Sequence, residues 1–356
     1  TYACNLRCSY CYEPKKAHKR MDLQTAISIL KKEQATIDAN KFDGILLQFM
    51  GGEPLLCFSL IRELCEWIWS QSFKIPILNI SFPTNGTLIN KQMREWFAIN
   101  KNRIQPMLSF DGNRLMQNRN RSNSARLVDL EYFASTFPNT AIKMTISPET
   151  IDCIYDGIIF LYDNGLTHVE ANLAYGKELK WEKYHLKVLL QQLTKLVDFY
   201  LENPNVTPMA MVSMPVWAIL DFNREPMRCQ LGDNLVCYDC DGISYPCHLF
   251  SPLTLEGSQL ELARHIDFAS LHNEESSKCK KCLLRPLCLT CYGSNYMDTG
   301  DCNNQTPFNC AQFKLFFLAS CRYHKLLALS NNDTQKTELI SKVMNLLKLS
   351  TNKKST

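Results

Sequence analysis

The chain has 356 residues, 46% of them hydrophobic and 21% charged, which is ordinary for a globular protein with room for a large core and two domains. A net charge of +4, dispersed along the chain, gives no basis for a nucleic-acid partner, and the single basic run KKAHKR at 15–20 reads as a solvated loop. No apolar stretch approaches the ~20 residues of a membrane helix, so no membrane partner is expected.

Seventeen cysteines are the anomaly. The number is odd, the chain is long and no signal segment precedes it, so an oxidised secreted framework is a poor account. Reduced thiols serving as metal ligands in a cytoplasmic protein fit better. Cys57, Cys65 and Cys153 stand apart among apolar neighbours and read as buried core thiols. The other cysteines cluster at the start, in 229–247 and in 279–321. The chain lacks an initiator Met and begins close to its first motif, so it reads as a fragment whose upstream elements are unseen.

In chain order, the opening loop TYACNLRCSYCYEP carries Cys4, Cys8 and Cys11 as Cys-x3-Cys-x2-Cys. Asp22 caps an amphipathic helix over 22–39. Strands are expected at 44–52, 77–86, 104–112, 141–147 and 168–176, with helices over about 59–72, 90–100, 123–135 and 151–163 between them. Short apolar runs separated by helices argue for parallel βαβ units. Three strands stop at polar, glycine-containing turns, GGEP, TNGT and SFDG, and in barrels of this kind the strand C-terminal ends form the reaction face. A long helix over 180–202 ends at Asn203-Pro204. Beyond it the alternation fails, the chain becomes loop-rich, and metal staples are the natural support. Helices are expected at about 309–329 and 334–348, then a frayed polar tail, STNKKST. The domains are placed at 1–220, 221–330 and 331–356.

Three thiolates within eight residues are one short of a closed tetrahedral site. They suit three irons of a cubane [4Fe–4S] cluster, leaving the fourth iron open; part of a zinc site completed from elsewhere is the alternative. The turn Met50-Gly51-Gly52-Glu53-Pro54 adds two glycines that permit close backbone approach and free carbonyls for a ligand ammonium, with Glu53 as its countercharge. A simple strand-to-loop turn is the plain reading of the same residues.

Taken together these motifs resemble the radical S-adenosylmethionine (radical SAM) superfamily over essentially the whole chain. Its cluster motif, Cys-x3-Cys-x2-aromatic-Cys, stands here as Cys4, Cys8, Tyr10 and Cys11. The resemblance implies that these cysteines ligate a [4Fe–4S] cluster whose unique iron is chelated by S-adenosyl-L-methionine. It implies that Gly51, Gly52 and Glu53 engage the methionine amine, and that Asn85 and Ser109 belong to strand-end cofactor motifs. Arg121 falls where related enzymes carry a carboxylate- or ribose-binding arginine. The implied chemistry is one-electron cleavage of the sulfonium to a 5′-deoxyadenosyl radical, which abstracts a hydrogen from substrate, with a low-potential donor such as flavodoxin or ferredoxin.

The later cysteines resemble the SPASM extension. Cys229 is followed by Gly242 and then Cys247; Cys279-x2-Cys282-x5-Cys288-x2-Cys291 follows, then Cys302, Cys310 and Cys321. The x2 before Cys291 departs from the x3 of that pattern. The resemblance implies two auxiliary [4Fe–4S] clusters, three in all. Cys279, Cys282, Cys288 and Cys310 would hold the second; Cys229, Cys247, Cys291 and either Cys237 or Cys240 would hold the first. A pair of zinc ribbons is the alternative reading of this block. The fold class expected is therefore α/β: a partial (β/α)6-type radical SAM barrel, a loop-rich cluster-binding SPASM domain and C-terminal helices.

Members of this group act mostly on peptides or proteins. Anaerobic sulfatase-maturing enzymes place an Asp directly after the Cys of the G-x4-C element, as a proton acceptor. Here that position is His248, and Tyr-Pro-Cys-His is instead like maturases that cross-link ribosomally made peptides. His248 could still take a proton; a satisfied loop histidine is the plain reading. The leading expectation is a radical enzyme that modifies a precursor peptide, for example by a thioether. Formylglycine synthesis on a sulfatase, and a zinc-stapled binding protein without catalysis, are the alternatives.

Overall fold

The computed structural model describes residues 1–13, 16–221, 224, 227, 229–271 and 276–352, the side chains of 349–352 excepted. Two compact units emerge, each assembled from separate stretches of chain. The first comprises Thr1–Thr145, Gly157–Leu173 and Asn234–Ile266; the second comprises Ile146–Asp156, Ala174–Asp233 and Asp267–Thr356. The sequence expectation, by contrast, is of consecutive domains.

The first unit is built on short strands β1 (Ile45–Gln48), β2 (Ile77–Thr84), β3 (Gln105–Leu108), β4 (Ile142–Ile146) and β5 (Val169–Leu173). The β1–β2–β3 ladder is parallel, with Gln48 opposite Ser81 and Thr84 opposite Leu108. β4 pairs with β5, and a parallel bridge between Ser109 and Lys143 joins the two sheets. Parallel order follows from the helices between the strands: α1 (Leu23–Thr36), α2 (Phe58–Ser70), α3 (Lys91–Asn100), α4 (Arg114–Asn120), α5 (Leu130–Thr136) and α6 (Ile154–Asp163). Asp22 caps α1 as expected, its carboxylate accepting from Thr25 N at 2.8 Å. In α2 the buried Ile61, Leu64, Cys65 and Ile68 recur at helical spacing.

Side chains alternate across this sheet and its two faces differ. One carries Ile80, Phe82, Leu108, Met144 and Ala171, all buried, with Phe97, Phe133 and Phe137 in the same aromatic core. The other face is described with the site below.

The expected helix over 123–135 is the main departure. Ser122 and Asn123 both have φ of +54°, which breaks any helix there. A 3-10 turn at Ser124–Leu127 and the separate α5 take its place. Upstream lies α4, where no helix was expected: the Asn113 side chain accepts from Leu115 N and Met116 N, each at 3.0 Å, and starts it. Likewise the helix expected over 151–163 is a 3-10 turn at Pro148–Cys153 followed by α6.

In the second unit, α7 (Lys183–Glu202) packs on α9 (Pro307–Ser330), with α8 (Ala210–Ser213) and α10 (Thr334–Asn352) beside α9. Val216, Ile219, Leu284, Phe317, Cys321 and Val343 form its buried apolar cluster, so Cys321 is a core thiol. Ser320, fully buried on α9, accepts from Met214 N at 3.0 Å. Helix α10 continues past the expected end at 348, and residues 353–356 of the polar tail lie outside the described residues, as does Lys15 of the basic run. Of the three isolated thiols, Cys65 is buried as expected, whereas Cys57 and Cys153 are only half-buried, the latter donating to Asp152 Oδ1 at 3.4 Å.

Candidate functional site

The cysteine loop is laid against the strand ends of the first unit. Gly52 N and Glu53 N donate to Thr1 O and Ala3 O at 2.9 and 2.8 Å. The approach is so close that a Cβ on Gly51 would stand 1.9 Å from Thr1 O, and one on Gly52 2.2 Å from Ala3 O. The two glycines thus make room for the cysteine loop itself, a tighter requirement than the exposed carbonyls expected from sequence.

Glu53, 1% exposed, accepts three hydrogen bonds: from Leu55 N at 3.0 Å, Thr84 Oγ1 at 2.8 Å and Asn85 N at 2.8 Å. Burial raises its carboxyl, and these bonds pull it back. Glu53 therefore clasps the GGEP turn to the end of β2. Asn85 extends the clasp, its Nδ2 donating to Asn5 Oδ1 of the cysteine loop at 2.9 Å while Oδ1 accepts from Thr87 N at 3.0 Å.

The far side of the loop is held by α4 and the end of β3. Ser9 N donates to Asn120 O at 2.9 Å and Arg7 N to Ser122 Oγ at 2.9 Å. Tyr10 Oη donates to Asp111 Oδ2 at 2.6 Å, and the fully buried Asp111 also accepts from Asn120 Nδ2 at 3.1 Å and Thr145 N at 2.9 Å. Arg121 Nε lies 3.0 Å from Asp111 Oδ1, within ion-pair reach but not aligned for a hydrogen bond. The guanidinium carbon stands 5.4 Å from the Tyr10 ring centroid. Burial works against the Arg121 charge, and the opposing pull of Asp111, Tyr10 and Cys8 keeps it protonated. Ser109 is buried at the end of β3, its N–H donating to Thr84 O at 2.7 Å.

Cys4, Cys8 and Cys11 are half-buried and close enough to perturb one another electrostatically. Burial pushes the Cys8 thiol up to about 11, with Arg121 opposing. Among the described residues no three His, Cys, Asp or Glu side chains converge on one point, as a mononuclear zinc site requires. A cubane takes one thiolate per iron, so its ligands surround a cluster and do not converge on an atom. Three thiol donors on one short loop, with Cys4 and Cys8 each feeling Cys11, fit that arrangement.

A second group lies in the same unit. The hairpin β6 (Cys237–Tyr238) and β7 (Ser244–Tyr245) turns at Gly242, φ +78°, with Asp239 Oδ1 accepting from Asp241 N and Ile243 N. Cys237 and Cys247 both act on the Tyr12 hydroxyl, whereas Cys240 donates to Lys19 O at 3.7 Å, away from that group. His248 packs on Tyr12 with ring centroids 5.6 Å apart, and burial pushes its imidazole down to about 4.

The remaining expected ligands belong to the second unit. Cys288 feels Cys282, Cys279 and Cys310, and burial above all pushes it up to about 11. Cys302 is 4% exposed and its carbonyl accepts from Asn295 Nδ2 at 2.8 Å, a packed structural position. Burial raises the Cys229 thiol, with nearby Cys291 adding to the rise. The ligands expected for the first auxiliary cluster are thus divided, with Cys237, Cys240 and Cys247 in the first unit.

Sequence reasoning missed Asp111 and Asn120 as the supports of Tyr10 and Arg121, although Asp111 stands inside the quoted SFDG turn. It also missed Lys16, which only the fold brings to Cys11, and Glu13, which pairs with it. The uncovered face of the sheet was likewise invisible. It presents the exposed Leu46 together with Gln48, Asn79, Gln105, Lys143, Glu170 and Asn172, none of them buried, with Lys143 paired to Glu170 and Asn79 Nδ2 donating to Gln105 Oε1 at 3.3 Å.

Residues 1–158 match the radical SAM superfamily. A cysteine-type anaerobic sulfatase-maturating enzyme of Clostridium perfringens is 23% identical over 92% of this chain and 96% of its own length. An uncharacterized protein of Methanocaldococcus jannaschii is 36% identical over 112 residues, where the chain spans only 36% of that relative's length. The fold matches that of anSMEcpe solved with bound AdoMet, with a TM-score of 0.70 at 18% identity over 93% of this chain and 97% of that one. Streptococcus suis SuiB bound to precursor peptide SuiA matches with a TM-score of 0.58 at 16% identity, over 87% and 74% of the two chains.

Proposed function

We propose that the chain, whose residues 1–158 match the radical SAM superfamily, is a radical SAM maturase acting on a ribosomally made precursor peptide. The observation that carries the peptide reading is the uncovered sheet face. Its amide side chains each donate and accept, and its one ion pair is internally compensated. Such a surface suits a peptide main chain better than it suits a small apolar substrate, which would call for an apolar pocket. SuiB, a protein of the same fold, was solved with a precursor peptide, which supports the same reading.

Cys4, Cys8 and Cys11 would hold the [4Fe–4S] cluster that the family implies, and bound AdoMet would complete its open iron. Together they supply one-electron reductive cleavage of the sulfonium. The protein's own part is positional. Gly51, Gly52, Glu53 and Asn85 fix the cysteine loop, while Asp111 and Tyr10 hold Arg121 charged and buried beside Cys8. Arg121 would receive the carboxylate or ribose of AdoMet. Cys279, Cys282, Cys288 and Cys310, gathered in one unit, would hold one auxiliary cluster; Cys302 is packed elsewhere, which supports the choice of Cys310. The grouping of Cys237 with Cys247 beside Tyr12 favours Cys237 over Cys240 as a ligand of the other. All seventeen cysteines are free thiols, in keeping with a reducing, cytoplasmic setting and a low-potential donor such as flavodoxin or ferredoxin. No helix among the described residues is long and apolar enough to cross a membrane.

Formylglycine synthesis on a sulfatase is the second reading, favoured by similarity along nearly the full length of the sulfatase-maturating enzyme. Against it, a histidine, His248, stands where that group carries an acidic proton acceptor. The test is to incubate reduced protein and AdoMet with the peptide encoded beside its gene, and separately with a sulfatase peptide. Loss of two hydrogens from the first with no formylglycine in the second is expected. A formylglycine product overturns the choice.

A further inference from the structure

Lys16 has a position that the expected site does not use. Its ammonium donates to Cys11 Sγ at 3.0 Å and to Glu13 Oε2 at 3.1 Å. Glu13 is 4% exposed and the Lys16 side chain 21%, so the ammonium is held at the thiols by a buried carboxylate rather than waving in solvent. Four residues separate Lys16 from Cys11, and an extended chain would carry its charge away from that thiol.

We propose that Lys16 is a positioning residue that raises the reduction potential of the cluster held by Cys4, Cys8 and Cys11. This rests on the ligand assignment proposed above. One-electron reduction adds one negative charge to the cluster and its thiolates. A cation and an N–H···S bond at one of those sulfurs stabilise the reduced form more than the oxidised form, and both are known levers on cluster potential. Glu13 aims the cation and tempers it.

The test is a potentiometric titration followed by electron paramagnetic resonance, reading the cluster signal that AdoMet perturbs. Lys16→Met should lower the equilibrium constant for reduction by about tenfold, a shift of about 59 mV to more negative potential for a one-electron couple. Lys16→Arg should restore most of it, and Lys16→Gln, which keeps a donor without the charge, should fall between. Iron and sulfide content is measured in parallel, and wild-type protein without the cluster would sink the ligand assignment itself. An unchanged potential in Lys16→Met with the cluster present overturns the role of Lys16 alone. So does a loss of AdoMet affinity without a shift in potential, because Lys16 would then be a ligand for the AdoMet carboxylate. Should Lys16→Met fail to hold a cluster, the Gln and Arg variants carry the comparison.

Discussion

Both oxygens of Glu53 accept hydrogen bonds from the fold: Oε1 from Leu55 N and Thr84 Oγ1, Oε2 from Asn85 N. Glu53→Gln puts an NH2 against one of these donors, so a buried group loses its partner. It should cost about 1–3 kcal/mol in denaturant unfolding and lower the iron retained after gel filtration. Buried Cys65 gives a separate, site-independent check. Burial raises its thiol from the ordinary 9.0 to about 12. The unfolded chain therefore releases this proton first. The stability it contributes is complete below pH 9.0 and is lost as pH rises toward about 12, by up to about 1.4 kcal/mol per pH unit. Cys65→Ala should flatten the alkaline limb of the stability–pH curve of the apoprotein; an unchanged limb contradicts the assignment. Cys4, Cys8 and Cys11 could be picked out from sequence because their spacing is itself the motif. Asp111 and Lys16 could not, because each acts on a residue brought near it only by the fold: Tyr10 for Asp111 and Cys11 for Lys16.

At the scale of elements, the Gly51-Gly52 turn and the cysteine loop form one unit of construction. Gly51 has φ +133°, which side chains rarely adopt, and its missing Cβ leaves the space taken by Thr1 O. Gly51→Ala should displace the loop, cost about 1–3 kcal/mol or more, and remove about four irons per chain, one cubane's complement. Iron analysis beside circular dichroism separates this from global unfolding; full iron content would contradict the loop-seating role. The five strands were legible as short apolar runs, three of them ending in polar glycine turns. Helix α4 was not, because its start depends on Asn113 capping two N–H groups and its end on two residues at positive φ, signals that periodicity does not carry.

For the whole molecule, the informative feature is the contrast between the two faces of the sheet. Replacing the paired charges of the uncovered face, Lys143→Met with Glu170→Leu, should raise KM for the precursor peptide roughly tenfold, about 1.4 kcal/mol, while AdoMet cleavage without peptide is unchanged. Equal loss of both activities would place the pair in the fold's support instead. The two units interleave along the chain, and alternation of strands and helices could not reveal this, because Asn234–Ile266 joins the first unit through tertiary contacts alone.

The central claim is that the opening cysteine loop holds the cluster at which AdoMet is cleaved. Release of 5′-deoxyadenosine from AdoMet by dithionite-reduced, anaerobically reconstituted protein tests it most directly, with Cys4→Ala/Cys8→Ala/Cys11→Ala as the comparison. Release by the wild-type protein and none by the triple variant is expected. Release that persists in the triple variant, or none from fully iron-loaded wild-type protein, would contradict it.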